Sequence, residues 1–266
     1  MEAGTAHQFW SRWRKNLGER TPATLEYIAP GSSQAKIYFA PASVEQKMQQ
    51  ILSEKQKSLL SFFGKEKQIY ENFYWGGGTA LAEKYLRHRL SEDIDFFSEV
   101  EFDPLALSVI FKNMQKAAGI KGVEYIQSFN RSLFFLDFGK EKIKTEFTYF
   151  PFPRIDARGA SGNLSIDSLL DIAVNKLFTV YQRPRSRDFI DLYCILQKEK
   201  EWTLDDFAEK AQVKFDTHLD PIQLGAQYLK AAELKDYPKM LILLHDSEWQ
   251  DFFTDEAKKL KGEIFK

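Results

Sequence analysis

The spacing of hydrophobic positions changes along the chain, and the changes predict where helices give way to strands. Apolar residues recur at helical spacing between residues 43 and 67, which predicts one or two amphipathic helices. Asp103 and Pro104 are typical of a helix start, and Gly119 is typical of a helix end. Beyond that helix the apolar residues alternate, which predicts three strands over residues 123–129, 131–138 and 142–150.

The period returns to that of a helix after Pro151 and Pro153. Apolar residues at helical spacing predict a helix over residues 165–181, with Ser165 as a candidate N-cap. A second helix is predicted to start at Ser186 or Arg187. The segment 159–163 is predicted to be a loop, and further helices are predicted around residues 204–211, 222–234 and 249–261.

These patterns predict an α+β fold class, in which a small mixed sheet with helices is followed by a helical C-terminal half. They divide the chain into an N-terminal extension of unclear role over residues 1–42, an α+β domain over residues 43–153 and a helical domain over residues 154–266. The basic and aromatic run at residues 10–15 is able to contact RNA by charge and stacking. A loosely attached arm is the favoured interpretation, because prolines and a glycine interrupt the residues between this run and residue 42.

Composition narrows the class of protein. With 266 residues, 44% of them hydrophobic and 15% aromatic, the chain can bury a substantial core. It has neither an apolar run of about 20 residues nor the apolar core of a signal peptide near residue 1, so we expect no membrane association. The single cysteine, Cys194, excludes an intrachain disulfide and makes a reducing cytoplasm the simplest compartment. The net charge of −1 gives no overall argument for nucleic-acid binding.

A glycine run is the first candidate for chemistry. Gly76, Gly77 and Gly78 follow an aromatic segment, and Thr79 opens a stretch with apolar residues at helical spacing, which predicts a strand, a tight turn and a helix. Glycines let a backbone approach a ligand closely, and the free N–H groups at a helix start, together with the Thr79 hydroxyl, favour an anion such as phosphate. A plain helix entry with Thr79 as N-cap explains the same residues about equally well.

Two aspartates follow, separated by one residue. On a strand, Asp93 and Asp95 share one face while Ile94 and Phe96 occupy the other. Neighbouring carboxylates repel each other, and a divalent cation is the usual way to offset that repulsion. A few hard oxygen ligands, with room left for water and phosphate, suit Mg²⁺. The alternative is a solvated strand edge that binds nothing, and the glycine turn ahead of the pair makes that alternative less favoured.

The order of these residues resembles a known signature. Gly78-Thr79, thirteen intervening residues and then Asp93-x-Asp95 are similar to the motif of polymerase-beta-type nucleotidyltransferases. More narrowly, GGTALAEKYLRHRLSEDIDFF resembles the AbiEii/AbiGii toxin family of nucleotidyltransferases, whose first motif has the form GGTAL, a short helix and then R-x-S-x-D-x-D. The resemblance covers residues 45–260. It implies a nucleotidyltransferase-like mixed sheet, metal binding by the two aspartates, and nucleotide binding by Gly77, Gly78, Thr79, Arg89 and Ser91.

The resemblance also implies a third carboxylate on a nearby strand, typically an aspartate, that binds metal and activates the attacking hydroxyl. In the predicted strand 142–150, Glu146 shares a face with Lys144 and is the candidate for this role. Asp137 in the preceding strand is the reserve candidate. A solvated edge carboxylate at Glu146 is equally compatible with the pattern.

Two later segments extend the resemblance. The family has a lysine in an N-K-L-like helix and then an R-D-x-x-D-L helix, and the matching residues here are Lys176, Asp188 and Asp191. Carried across, Lys176 would meet the triphosphate or the leaving pyrophosphate, and Arg187 and the two aspartates would complete the site. The alternative is an acid pair three residues apart on a helix surface, neutralised by Arg183, Arg185 or Arg187.

Together these features predict a Mg²⁺-dependent nucleotidyltransferase that moves a nucleoside monophosphate from an NTP to an acceptor hydroxyl. The resemblance implies a toxin of a toxin–antitoxin or abortive-infection system, with tRNA as the acceptor and a cognate antitoxin as a possible partner. Two alternatives stay open: a nucleotidyltransferase acting on a small molecule or a protein side chain, and a non-catalytic nucleotide-binding or partner-binding protein of the same fold.

Overall fold

The structure is a computed structural model that describes the backbone of residues 50–264 and the side chains of residues 50–260. The predicted extension over residues 1–42, the beginning of the predicted domain at residue 43 and the basic aromatic run at residues 10–15 lie outside the described residues. No helix within residues 50–264 is long and apolar enough to cross a membrane.

The first described helix, α1 (Glu54–Phe63), begins where the sequence supplies a capping box. The Ser53 hydroxyl accepts a hydrogen bond from the Gln56 backbone N–H, and the Gln56 side chain accepts one from the Ser53 N–H. A short helix, α2 (Lys67–Asn72), comes next, which the hydrophobic pattern did not predict. The predicted helix after Asp103 is confirmed as α4 (Pro104–Ala118), with Asp103 as N-cap and Gly119 ending it at a φ of 69°.

The glycine segment joins a strand directly to a helix. Strand β1 (Tyr74–Gly76) runs into α3 (Gly77–Ala80), which continues as a π-helix (Leu81–Leu86) before strand β2 (Ile94–Ser98). The order of strand, turn and helix is therefore confirmed. The alternative in which Thr79 caps the helix is wrong, because the N-cap is Gly76 and Thr79 lies inside the helix.

The three strands predicted from alternation are confirmed as β3 (Gly122–Ser128), β4 (Arg131–Asp137) and β5 (Lys142–Tyr149). The segment 159–163 is not a loop: it belongs to a hairpin of β6 (Gly159–Ser161) and β7 (Leu164–Ile166). Among the described residues the strands form one seven-stranded mixed sheet in the order β3-β4-β5-β2-β1-β7-β6. The pairs β2–β5 and β1–β7 are parallel, and the other pairs are antiparallel.

Helices follow the sheet, as the sequence predicted. Helix α5 (Leu169–Gln182) starts after Ser168, not after the predicted Ser165, because Ser165 and Ile166 pair with β1 in the sheet. Helix α6 (Ser186–Lys198) begins at the predicted residue. The remaining helices are α7 (Leu204–Phe215), α8 (Pro221–Leu229) with a 3₁₀ turn (Lys230–Ala232), and α9 (Asp246–Ile264).

One face of the sheet is buried in an aromatic core. Phe63 from α1 and Phe111 from α4 meet Phe96 of β2 and Phe147 of β5, all of them fully buried. The rings of Phe96 and Phe147 stack with their centroids 5.2 Å apart, and the two residues are partners in the parallel ladder. This packing fixes the register of the two strands, so it also fixes which side chains they place on the opposite face.

We expect Phe147→Ala to destabilise the protein by about 3 to 5 kcal/mol, because it removes a buried ring and leaves a cavity beneath the sheet. Phe129→Ala is the matched control, since this ring is 97% exposed and its loss should change stability by about 0.5 kcal/mol or less. Urea denaturation of both variants would measure the difference. Equal midpoints would contradict the assignment of Phe147 to the core.

Candidate active site

The sheet face opposite the aromatic core carries the predicted carboxylates. Asp95 of β2 is the ladder partner of Glu146 on β5, and Asp93 directly precedes β2. Alternation along β2 turns Ile94 and Phe96 into the core, so Asp95 faces the other way. The structure thus brings Glu146 beside Asp93 and Asp95, which precede it by about 50 residues in the sequence.

Two cations lie among these acids. The Lys144 Nζ is 2.8 Å from Asp93 Oδ2 and 3.2 Å from Glu146 Oε2. The Arg131 guanidinium on β4 meets Glu146 in a two-pronged contact, with Nη2 at 2.6 Å from Oε2. Burial by itself would raise the pKa of Glu146, but the hydrogen bonds and charges of Arg131 and Lys144 lower it overall. Glu146 is therefore an ionised carboxylate at neutral pH.

The pKa of Asp95 is shifted in the opposite direction from that of Glu146. Its burial, followed by the negative charges of Glu146 and Asp93, raises the pKa of the Asp95 carboxyl to about 7. Lys144 and Lys176 act in the other direction without compensating. Negative charge at Asp95 is thus the least neutralised of the three acids, which is the property expected of a cation ligand.

The glycine turn packs directly on this acid. Gly77 has a φ of 71°, and a Cβ on it would lie 2.4 Å from Asp95 Oδ2. A Cβ on Gly78 would lie 2.6 Å from the Arg89 Nη2. Only glycine fits at either position, because a side chain would collide with a charged group of the site. The turn therefore brings backbone, an acid and an arginine into contact.

Thr79 and Ser91, both predicted to bind nucleotide, contact each other inside the protein. Thr79 is fully buried, its hydroxyl donates to the main-chain oxygen of Asp93, and it lies 2.8 Å from the Ser91 Oγ. The Thr79 hydroxyl is therefore used inside the protein, and its role in nucleotide binding stays a prediction. This hydroxyl ties the helix after the glycine turn to the segment that carries the aspartates.

Arg89 is also committed internally. Its Nε and Nη2 donate to the two carboxylate oxygens of Asp191, at 2.6 and 2.7 Å, and the His88 Nε2 lies 2.7 Å from the same carboxylate. Asp191 is fully buried. Burial alone would raise the pKa of Asp191, but Arg89 and Lys176 hold it well below its usual range. Asp191 is thus a permanent anion that joins α6 to the segment before β2.

Lys176 completes this network from α5. Its Nζ lies 2.7 Å from Asp188 Oδ1 and 2.8 Å from Asp191 Oδ2, and its side chain is only 12% exposed. Burial alone would lower the pKa of Lys176, but the two aspartates raise it, so the ammonium stays charged. The alternative of a surface acid pair neutralised by neighbouring arginines is wrong. Both acids are buried against Lys176, whereas the three arginines are exposed: Arg183, Arg185 and Arg187.

The reserve candidate, Asp137, lies away from this cluster. It ends β4, opposite Lys142, and its carboxylate accepts a hydrogen bond from the Gly139 N–H in the hairpin turn. The structure therefore leaves Glu146 as the acid on the strand beside β2.

Sequence reasoning missed two cations of the site, Lys144 and Arg131, and one buried histidine, His88. Lys144 was noted only as sharing a face with Glu146, although that alternation already placed it beside the acids. Arg131 is brought in by the β4–β5 hairpin, where it faces Thr148 in the ladder. For His88 the sequence carried no signal, since its partner, Asp191, is 103 residues away.

Comparison with known proteins places this chain in a family. Residues 66–263 match the sequence model of the family described as nucleotidyl transferase AbiEii toxin, type IV TA system. An uncharacterized protein of Aquifex aeolicus (strain VF5) is 30% identical over 151 residues, which are 55% of this chain and 68% of that protein.

Two solved structures share the fold. The Helicobacter pylori protein JHP933 is similar with a TM-score of 0.50 and 19% identity, over 80% of this chain and 94% of that one. A proposed nucleotidyltransferase from the same organism is similar with a TM-score of 0.50 and 19% identity, over 80% of this chain and 97% of that one. At this level of identity they support the nucleotidyltransferase fold of the mixed sheet.

We expect Asp191→Asn to destabilise the protein by about 3 to 5 kcal/mol, because it leaves Arg89 and Lys176 buried beside a neutral amide. Asp255→Asn is the matched control: this acid forms an exposed pair with Lys258 at 2.8 Å, and its loss should cost about 0.5 kcal/mol or less. Chemical denaturation would measure both. A difference near zero would show that Asp191 is not the hub of the buried network.

Proposed function

We propose that this chain, a nucleotidyltransferase that belongs to the AbiEii toxin family, uses Mg²⁺ to move a nucleoside monophosphate from an NTP to an acceptor hydroxyl. The observation that carries the proposal is the convergence of Asp93, Asp95 and Glu146 on one sheet face, with the glycine turn against Asp95. The position of these acids beside a glycine backbone suits the binding of a triphosphate, because a triphosphate needs close approach of N–H groups and cations.

The chemistry of the donor set fits a magnesium ion. Asp93 and Asp95 offer hard carboxylate oxygens, and the raised pKa of Asp95 marks negative charge that the protein leaves largely uncompensated. The described residues contain no group of three or more His, Cys, Asp or Glu side chains already arranged to hold a metal. Two protein carboxylates are consistent with Mg²⁺, which retains waters and binds substrate phosphates. When bound, Mg²⁺ would neutralise charge on the triphosphate.

Lys176 is suited to act on the leaving pyrophosphate. Asp188 and Asp191 hold its ammonium in a fixed position, and its charge reaches Asp95. A charge fixed in advance contributes more to transition-state stabilisation than one that must reorganise. We assign Asp188 and Asp191 to positioning of this lysine and of Arg89, since both carboxylates are already paired.

Glu146 is the acid best placed for the acceptor. Arg131 and Lys144 keep it ionised, so it can accept a hydrogen bond from a hydroxyl and orient it. Its lowered pKa makes it a weak proton acceptor, so orientation is the role we propose for it.

We propose tRNA as the acceptor. The exposed residues Arg183, Arg185 and Arg187 precede and open α6, the helix that carries Asp188 beside Lys176, and a cluster of this kind binds phosphate backbone. A small-molecule acceptor or a protein side chain would have no use for such a cluster. The family description, a toxin of a type IV TA system, makes a cognate antitoxin part of the proposal. Action on tRNA by such a toxin would take place in the cytoplasm.

The direct test is incubation with each labelled NTP and total tRNA, with Mg²⁺ or with a chelator. We expect label to enter the RNA only with Mg²⁺. Asp93→Asn and Asp95→Asn should abolish it, because each removes one charge from the proposed metal ligands without changing shape. Transfer at the wild-type rate by either folded variant would exclude the metal role.

Asp95→Asn should raise the stability of the metal-free protein, although it abolishes transfer. The pKa of Asp95 is raised from 3.8 to about 7 in the folded protein, so ionisation of Asp95 lowers stability as pH rises from about 4 to about 7. Asp95→Asn removes that penalty. We expect the metal-free variant to melt above wild type by an amount worth roughly 1 to 3 kcal/mol at pH 8, and by less at pH 5. A variant that melts below wild type at pH 8 would contradict this.

Lys176→Met should lower transfer by about tenfold or more, because it removes a fixed charge aimed at the departing pyrophosphate. It should also lower stability, since Asp188 and Asp191 lose a partner. Rates should therefore be compared well below the melting temperature of the variant, with saturating Mg²⁺. Lys258→Met, which alters a 70%-exposed lysine, is the control. A folded Lys176→Met protein with the wild-type rate would place α5 outside the reaction.

A further inference from the structure

Lys144 is a cation that lies between two of the three acids of the candidate site. It lies on β5 two residues before Glu146, and its Nζ bridges Asp93 Oδ2 and Glu146 Oε2 at 2.8 and 3.2 Å. Its side chain is 24% exposed, so the ammonium is partly withdrawn from solvent. A single lysine thus links an acid before β2 to an acid on β5.

Lys144 differs from Arg131 in what it neutralises. Arg131 contacts Glu146 with its Nε and Nη2. Among the described cations, Lys144 is the one that reaches Asp93, which we assign as a metal ligand. An ammonium at hydrogen-bonding distance and a divalent cation on the same carboxylate repel each other strongly.

We propose that Lys144 is a tethered counter-ion of the metal site, which holds Asp93 and Glu146 together before substrate arrives and weakens the binding of free Mg²⁺. This inference rests on the proposed function, because it concerns the metal ligands named there. A metal that arrives with an NTP brings a polyanion, and the displaced ammonium can then pair with phosphate oxygens. Lys144 would therefore favour entry of the metal together with the nucleotide over entry of the metal alone.

A purely structural ion pair is the competing explanation, and it makes a different prediction. If Lys144 only held β5 to the segment before β2, its loss would change stability by the same amount with and without metal. If it competes with the metal, its loss would change metal affinity.

The chain offers a matched control on the same strand. Lys142 begins β5, and its Nζ lies 2.9 Å from Glu124 on β3. Its side chain is 55% exposed and contacts none of the three site acids in the described structure. Lys142→Met and Lys144→Met therefore make the same chemical change in the same element, and only the second touches the metal ligands.

The experiment is titration of the full chain with Mg²⁺ by calorimetry, and with Mn²⁺ by electron paramagnetic resonance, without nucleotide and then with a non-hydrolysable NTP analogue. Without nucleotide, we expect Lys144→Met to bind either metal about tenfold more tightly than wild type, as expected when a partly buried competing charge is removed. Lys144→Arg, which keeps the charge, and Lys142→Met should bind as wild type does. With the analogue present, the difference between Lys144→Met and wild type should shrink.

Thermal melts supply a second readout. Without metal, Lys144→Met should melt below wild type, because Asp93 and Glu146 lose a shared partner; saturating Mg²⁺ should close that gap. A gap of equal size at all metal concentrations would identify Lys144 as a structural ion pair and overturn the inference.

The remaining outcomes separate the two proposals. In one outcome, wild type binds metal, Asp95→Asn does not, and Lys144→Met binds metal no more tightly than wild type. This outcome would overturn the counter-ion role and leave the proposed metal site intact. Absence of metal binding by wild type, with and without the analogue, would overturn both.

Discussion

The parallel pairing of β2 with β5 is the constraint on which the site depends. The same ladder places Phe96 against Phe147 in the core and Asp95 against Glu146 on the opposite face. Burial of the aromatic rings favours this register, and the register brings two carboxylates together although they repel each other. Burial of Asp95, together with this repulsion, raises the pKa of its carboxyl to about 7. Hydrophobic packing on one side thus stabilises an electrostatic arrangement that would not form by itself.

A second buried interaction joins the helical half of the protein to the sheet. The Asp191 carboxylate accepts from Arg89 and His88 on the segment before β2 and contacts Lys176 on α5. Gly78 packs against the same Arg89 guanidinium. One anion therefore sets the position of the glycine turn and of the lysine that we assign to the pyrophosphate. The helices after the sheet are part of the site, because they supply this anion.

The sequence predicted the long elements and the acids, and it failed where partners are distant or elements are short. Strands β3, β4 and β5 have seven or eight residues each, long enough for alternation to be visible. The hairpin β6–β7 has three-residue strands, and pairing with β1, not local pattern, makes it a sheet element. Arg89 and Asp191 are 102 residues apart, so no local pattern could show that they neutralise each other. For the same reason, sequence spacing does not reveal the internal partners of Thr79 and Arg89.

The two acid groups of the site show how charge compensation separates scaffold from reaction centre. Asp191 is surrounded by cations and its pKa lies well below the usual range, so it gains stability from ionisation and has little capacity left for a ligand. Burial and the neighbouring acids Glu146 and Asp93 make ionisation of Asp95 destabilising for the protein. A bound cation would therefore stabilise the ionised form of Asp95. Both aspartates are conspicuous in the sequence motifs, but Asp191 is fully buried whereas Asp95 is only partly buried. The charges around each carboxylate differ, so Asp191 joins two parts of the structure, whereas Asp95 is the acid that we propose as a metal ligand.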